Sequence, residues 1–303
     1  MAAPPTIVGI GEILWDLLPS GRQLGGAPAN FAYCSHLLGS RAVVVSRVGE
    51  DQLGGEARKL LLRKGISDRF LQADAALPTG TVHVSLNPDG QPQFGFTQPV
   101  AWDSLEWNDE LGKLAWSADA VCFGTLAQRS SQTQATILEF IRATRADALR
   151  VFDVNLRQQF YSAGMIADSM MAESIVKLSS EEVPRVAALL NLPVSDMYLF
   201  CSEVIRRFRL RLVCITRGQN GSILVDAVST DEHPGFRVQA KDAVGAGDAF
   251  TAGLVHEFLR GSSLAAMNDT ANRMGAWVAS CEGAMPQPPK EGLAAAIAHL
   301  ERT

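Results

Sequence analysis

Cysteine is scarce and unpatterned. Cys34, Cys122, Cys201, Cys214 and Cys281 are odd in number, scattered, and mostly set inside apolar runs. This argues against a disulfide framework and predicts reduced core thiols in a cytoplasmic protein. No C-x-x-C pair or His/Cys cluster occurs, so zinc is not expected. Charge is sparse as well: 19% of the 303 residues are charged, the formal net charge is −5, and no dense Lys/Arg run exists. A nucleic-acid partner is therefore not expected. No stretch approaches the ~18 consecutive apolar residues of a membrane span. The opening M-A-A-P-P-T-I-V-G-I lacks both a basic segment and a long apolar core, so neither membrane nor signal peptide is predicted. What is present is 47% apolar residues, enough to bury the core of one large α/β domain or two smaller ones.

Short apolar or β-branched runs recur at Thr6–Ile10, Ala42–Val48, Ala120–Gly124, Val151–Val154, Ser174–Leu178, Leu212–Thr216 and Ser222–Val225. Their near-continuous apolarity suits parallel strands covered on both faces. Helical patterns fall between them, at Ala29–Leu38, Leu53–Lys64, Gln132–Arg145, Ser180–Leu190, Ala246–Leu259, Leu264–Cys281 and Glu291–Arg302. The alternation predicts an α/β fold with a mostly parallel sheet flanked by helices. One region departs from it. Thr81–Leu86 and Gln93–Thr97 alternate around the turn signal N-P-D-G at Asn87–Gly90, which predicts a hairpin. With the non-helical Ile13–Leu18 it would form a small sheet over one end of the main one.

Among nucleotide motifs, G-I-G-E-I-L at Gly9–Leu14 begins like a dinucleotide fingerprint, but Leu14 replaces the third glycine and no helix follows. No G-x-x-x-x-G-K-[ST] loop exists. K-D-A-V-G-A-G-D-A-F-T-A-G-L at Lys241–Leu254 is more informative. Gly245 and Gly247 allow successive N–H groups to surround an anion, and the following helix adds its positive end. Asp248 stands at that helix's first turn. It is either a cap after a tight turn or, if the anion is the γ-phosphate of ATP, a base for an attacking hydroxyl.

D-A-V-G-A-G-D-A-F at Asp242–Phe250 resembles the C-terminal signature of the ribokinase-like (PfkB) carbohydrate kinases. G-G-A-P-A-N-F-A at Gly25–Ala32 and S-R-V-G-E-D at Ser46–Asp51 resemble that family's other signature. F-D-V-N-L-R at Phe152–Arg157 and T-R-G-Q-N-G at Thr216–Gly221 match in order and spacing, so the resemblance runs from about Ile7 to Pro286. It implies a single ribokinase-like domain over residues 1–303, with a β-sheet lid from about residues 12–24 and 80–102.

The resemblance also implies roles. Asp248 would be the base, with Gly245, Ala246 and Gly247 as the anion hole and Arg157 neutralising the transferring group. Asp16, Asn30 and Asn155 would bind sugar, Gly25–Gly26 would be a lid hinge, and Phe96 with Phe94 and Trp102 would cover the sugar or a partner subunit. Without the resemblance, Asp16 reads as a surface acid and Gly25–Gly26 as a helix-entry turn. Thr216, Gly218, Gly221 and Asn272 would line ATP. Glu182 would order water around Mg²⁺, although Ser179 stands where the family usually has asparagine. Asp242, with carbonyls near Val244, Val278, Cys281 and Gly283, would frame a K⁺ site. A homodimer through the lid sheet is implied too, since pairing would cover an exposed edge.

Within the family, G-E-I-L-W-D-L-L-P, Q-L-G-G-A-P-A-N and F-D-V-N-L-R-Q-Q-F-Y most resemble fructokinases. The expected reaction is ATP plus D-fructose giving fructose 6-phosphate. The alternatives are 2-keto-3-deoxygluconate or ribose as substrate, or a catalytically silent sugar or nucleotide sensor.

Overall fold

The computed structural model describes residues 3–18, 21–86, 92–171, 174–194 and 196–302. In chain order the strands are β1 (Thr6–Ile10), β2 (Leu14–Leu18), β3 (Gly21–Gly25), β4 (Arg41–Gly49), β5 (Leu71–Asp74), β6 (Gly80–Leu86), β7 (Pro92–Phe96), β8 (Ala120–Phe123), β9 (Leu149–Asp153), β10 (Ile175–Ser179), β11 (Leu212–Thr216), β12 (Ser222–Val225) and β13 (Thr230–His233). The helices are α1 (Ala27–Leu37), α2 (Gln52–Arg63), α3 (Asp109–Ser117), α4 (Ser131–Ala143), α5 (Ala163–Met171), α6 (Val183–Leu190), α7 (Met197–Phe208), α8 (Ala246–Leu259), α9 (Leu264–Ala279) and α10 (Leu293–Ala298).

Nine strands form one sheet in the order β13-β12-β11-β10-β9-β8-β1-β4-β5. It is parallel from β11 through β5, and only β12 and β13 depart from that parallel run. Side chains alternate between its faces, as the period of a strand requires. Val43 and Val45 join the core under α3, α4, α5, α6 and α7, whereas Ala42 and Val44 join the core under α1, α2, α8 and α9. Both faces are therefore dry, which is why the strands read as continuous apolar runs. The C-terminal ends of the parallel strands all point to one edge, where sheets of this kind collect ligands.

A second, four-stranded sheet has the order β3-β2-β6-β7. The expected extended segment and hairpin are its β2, β6 and β7; the turn at Asn87–Gly90 and the side chain of Phe94 lie outside the described residues. Its root is anchored firmly. Trp15 Nε1 donates to Leu53 O at 3.0 Å, and Asp51, the N-cap of α2, also accepts from Thr79 N and Oγ1 at 2.8 and 2.7 Å.

Several expectations change. Trp102 is a buried residue at the root of the lid rather than an exposed cover: it is 1% exposed, a Cβ on Gly80 of β6 would stand 2.4 Å from its Nε1, and the Arg129 guanidinium lies 3.9 Å above its ring. Arg129 is in turn paired with Asp103 at 2.8 Å, so the segment after β7 is tied down by a buried ion pair. Within the lid segment expected at about residues 12–24, G-R-Q-L-G carries no strand signal, yet it forms β3 and pairs antiparallel with β2. α1 begins at Ala27 and holds Pro28 in its first turn, where a missing N–H costs nothing. The helix expected at Glu291–Arg302 shrinks to Leu293–Ala298, and α3, α5, α7, β5 and β13 emerge where no element was expected.

Candidate active site

The stretch Lys241–Leu254 enters α8 through Gly245, which takes φ +79° as its N-cap. A Cβ there would stand 2.5 Å from the Ala284 Cβ, so both backbone and space demand glycine. The first turn of a helix leaves N–H groups without intrahelical partners and concentrates the positive end of its dipole. The turn at Gly245, Ala246 and Gly247 thus has the features with which helix starts can hold an anion such as phosphate.

Asp248 lies one residue further, and α1 brings it a partner from the other half of the chain. Asn30 Nδ2 donates to Asp248 Oδ2 at 2.8 Å across a sequence separation of 218. Burial, with the negative charge of Asp153 nearby, holds the Asp248 carboxyl at about 6, against an ordinary 3.8. The Asn30 bond and the charges of Lys177 and Arg157 restrain that rise. A carboxyl ionising near neutrality is poised to accept a proton.

Two buried acceptors beside it find no partner among the described residues: Asn30 Oδ1 and Glu12 Oε2. Glu12 follows β1 and is 4% exposed; its Oε1 accepts from the Ala27 N–H at 3.3 Å at the start of α1. Burial raises its carboxyl to about 7, and the Asp248 charge adds to the rise. Asp16 on β2 is half-buried, and desolvation lifts it to about 6 while Arg157 opposes the rise and Asp242 assists it. Glu12, Asp16 and Asp248 all feel Arg157, whose guanidinium is exposed beyond β9. The structure therefore brings Asp16, Asn30, Arg157, Asp242 and Asp248 into one electrostatic neighbourhood.

Gly25 and Gly26 have a packing explanation. A Cβ on Gly25 would lie 2.4 Å from Asp16 Oδ2, and Gly26 adopts φ +110° with the Glu12 carbonyl 2.5 Å from where its Cβ would be. Close approach of β2, β3 and α1 requires both glycines without any hinge motion. Phe96 packs edge-on against Phe160, with ring centroids 5.8 Å apart. Asn155 takes φ +43° just past β9.

The nucleotide-side residues separate into two groups. Thr216 ends β11 at the ligand edge, and Gly218 (φ +58°) has open space at its Cβ position. Gly221 (φ +78°) would drive a Cβ to 1.9 Å from the His233 carbonyl, so it serves the β11–β12 turn. Asn272 is tied into a buried polar knot between α9 and β12, its amide nitrogen donating to Ser222 Oγ at 2.7 Å and Asn268 O at 2.8 Å. Glu182 has both oxygens engaged already, accepting from the Leu156 and Ser179 N–H groups. It joins the ends of β9 and β10, and only its remaining lone pairs are left for a water around Mg²⁺. Among the described residues no group of three or more His, Cys, Asp or Glu side chains could hold a metal.

The K⁺ candidates also diverge. Asp242 Oδ1 accepts from the Val244 N–H at 2.9 Å and its own N–H reaches Ala279 O, so it shapes the loop. The Val278 carbonyl is already taken by the Cys281 N–H at 3.0 Å, which weakens its claim as a ligand. Gly283 (φ +72°) sits against Gln23 of β3, its Cβ position 3.1 Å from Gln23 Oε1.

Glu12 escaped the sequence reading, as did a buried constellation under the α8 turn. Lys177 Nζ pairs with both carboxylate oxygens of Asp153 at 3.0 Å, and Thr251 Oγ1 approaches Asp153 Oδ2 at 3.1 Å. The signal was a lysine interrupting the apolar strand I-V-K-L. Cysteine behaved as expected: all five are free thiols, four of them buried.

A glycine turn at the start of α8, a desolvated carboxyl at Asp248 and unpartnered buried acceptors gather near the strand ends, an arrangement suited to small-molecule phosphoryl transfer. The model of the pfkB family of carbohydrate kinases matches residues 21–291, and the chain belongs to that family. It is a kinase acting on a sugar hydroxyl. It is 30% identical to a fructokinase of Escherichia coli over 92% of this chain and 95% of that one. An uncharacterized sugar kinase from Pyrococcus horikoshii, solved in complex with ATP, superposes with a TM-score of 0.80 at 27% identity, covering 95% of this chain and 97% of that one. A double-mutant fructokinase from Vibrio cholerae in a fructose, ADP and potassium ion bound form shares the fold at 24% identity, with a TM-score of 0.80 over 99% and 100% of the two chains. No helix of the described residues is long and apolar enough to cross a membrane.

Proposed function

We propose that the protein transfers the γ-phosphoryl group of ATP to the primary hydroxyl of a ketose, D-fructose, giving fructose 6-phosphate and ADP. The carrying observation is the 2.8 Å bond between Asn30 and Asp248, which joins the sugar-side helix α1 to the phosphate-side helix α8. A hydroxyl lodged there has a base on one side and the α8 cradle on the other. Asp248 takes its proton as the oxygen attacks, the cradle N–H groups hold the transferring oxygens, and Arg157 offsets their charge. Mg²⁺, accompanying ATP, would neutralise phosphate charge, with Glu182 restricted to its water shell.

Charge supports a neutral substrate. The Asp248 charge acts on Glu12 and the Asp242 charge on Asp16, and Arg157 is an exposed cation that acts on Glu12, Asp16 and Asp248. The unpartnered acceptors Glu12 Oε2 and Asn30 Oδ1 match hydroxyl donors and would repel a carboxylate. This favours fructose over an acidic keto-sugar, in line with the Escherichia coli fructokinase among its relatives. The Asp242 loop is the proposed K⁺ site, and the edges of the four-stranded sheet, β3 and β7, are where a second copy would pair in the cytoplasm.

The test is ADP release over D-fructose, ribose and 2-keto-3-deoxygluconate, with and without K⁺. Fructose is expected to give the highest kcat/KM, with K⁺ raising it. Preferential turnover of the keto acid would overturn the charge argument. No turnover with any sugar would favour a silent sensor.

A further inference from the structure

The Asp153–Lys177 pair is the deepest ionic feature among the described residues, with side chains 5% and 9% exposed. Lys177 sits mid-strand between Val176 and Leu178, both fully buried. Burying such a pair costs about as much as its attraction returns, and apolar residues of similar volume are often more stable. Stability is therefore a poor reason for its presence. Its surroundings supply a better one. Thr251 Oγ1 lies 3.1 Å from Asp153 Oδ2 and 3.0 Å from the Gly247 carbonyl, one helical turn above. Lys177 Nζ stands 3.0 Å from the position a Cβ on Gly247 would occupy. The pair thus touches the underside of the α8 turn.

We propose that Lys177 and Asp153 are a positioning pair that fixes the anion-binding first turn of α8 and keeps a positive charge directly beneath it. The inference rests on the reading of Asp248 as the base. Asp248 is faced by Glu12 from the β1 edge, Asn30 and Cys34 from α1, Asp153 from β9, Arg157 from the loop beyond it, and Lys177 from β10. Asp153 raises the proton affinity of Asp248, and Lys177 opposes it. Glu182 in turn acts on both members of the pair. Removing Lys177 alone strands the Asp153 charge beside Asp248, so both changes push the same way. Removing both members leaves Asp248 without its strongest charged antagonist.

The experiment follows the aspartate carboxyl resonances of the ligand-free protein, labelled with ¹³C in its aspartates, as pH is varied; Asp248→Asn identifies the signal. Lys177→Met should move the Asp248 midpoint up by about one pH unit or more. Lys177→Arg should hold it near wild type, and Lys177→Met/Asp153→Asn should place it at or below wild type. An unmoved midpoint in Lys177→Met overturns the proposal. If that variant does not fold, the double variant decides: a midpoint above wild type overturns it, and one at or below supports it. The readout needs neither sugar nor ATP. A wild type inactive on every sugar would sink the kinase mechanism alone, whereas an unmoved midpoint in an active kinase would sink only the pair.

Discussion

Replacing Asp248 by asparagine is expected to separate activity from stability in opposite directions. The substitution preserves shape and leaves Asn30 Nδ2 an amide oxygen to donate to. A positioned base is worth ~10²–10⁴ in rate, so turnover should fall by about that factor, or ~3–5 kcal/mol of barrier. Stability should move the other way. The carboxyl is held at about 6 in the fold against 3.8 for an ordinary aspartate, a difference of about two units, or at most ~3 kcal/mol. For an acid whose folded value is raised, the folded state binds the extra proton between those values. Stability therefore falls as pH rises from 3.8 through 6, and the whole penalty is present at pH 7. A neutral amide in its place carries no such penalty. We predict a higher Tm for Asp248→Asn than for wild type at pH 7, with the gap closing as pH falls toward 4, and wild-type kcat/KM rising through about pH 6. Turnover within tenfold of wild type, or a lower Tm at pH 7, would refute the assignment of Asp248 as a desolvated base.

Three further outcomes follow from the geometry. Asp16→Ala should raise the sugar KM with a smaller effect on the KM for ATP, because Asp16 lies on β2 of the lid; steady-state kinetics with an unchanged sugar KM would remove it from the sugar site. Gly245→Ala should weaken nucleotide binding by calorimetry and cost stability, since a left-handed backbone costs ~1–2 kcal/mol before its Cβ meets Ala284 at 2.5 Å. Arg129→Met should destabilise the protein by ~3–5 kcal/mol in denaturant unfolding, because it leaves Asp103 as a largely buried, unpaired charge.

How much of this was legible in the sequence depended on whether a residue's partner was local. Parallel strands announced themselves because burial on both faces leaves only apolar residues, and the α8 turn did because glycines at 245 and 247 have few other reasons to flank one alanine. β3 was hidden because an edge strand of a small half-solvated sheet needs no apolar run; its register comes from β2 alone. The burial of Trp102 was hidden because its neighbours are distant in the chain: Gly80 at the start of β6 and Arg129, 27 residues later. The contacts of Asn272 were equally hidden: a polar residue on a late helix gives no sign of its bonds to Ser222 and Asn268.

The same distinction separates Glu12 and Lys177 from the motif residues. Asp248 could be chosen because the cradle that gives it meaning adjoins it in the chain. Glu12 gains its meaning from α1 and α8, and Lys177 from Asp153, 24 residues away, and from Gly247, 70 residues away. In isolation each is an acid after a strand or a charge inside one, and physical chemistry predicts only that burying it is costly. A charge retained at that cost is best explained by the site it faces. Both lie within the electrostatic reach of Asp248: its charge raises Glu12, and Lys177 restrains its own rise, so the proposed base has to be read together with charges that its motif does not contain.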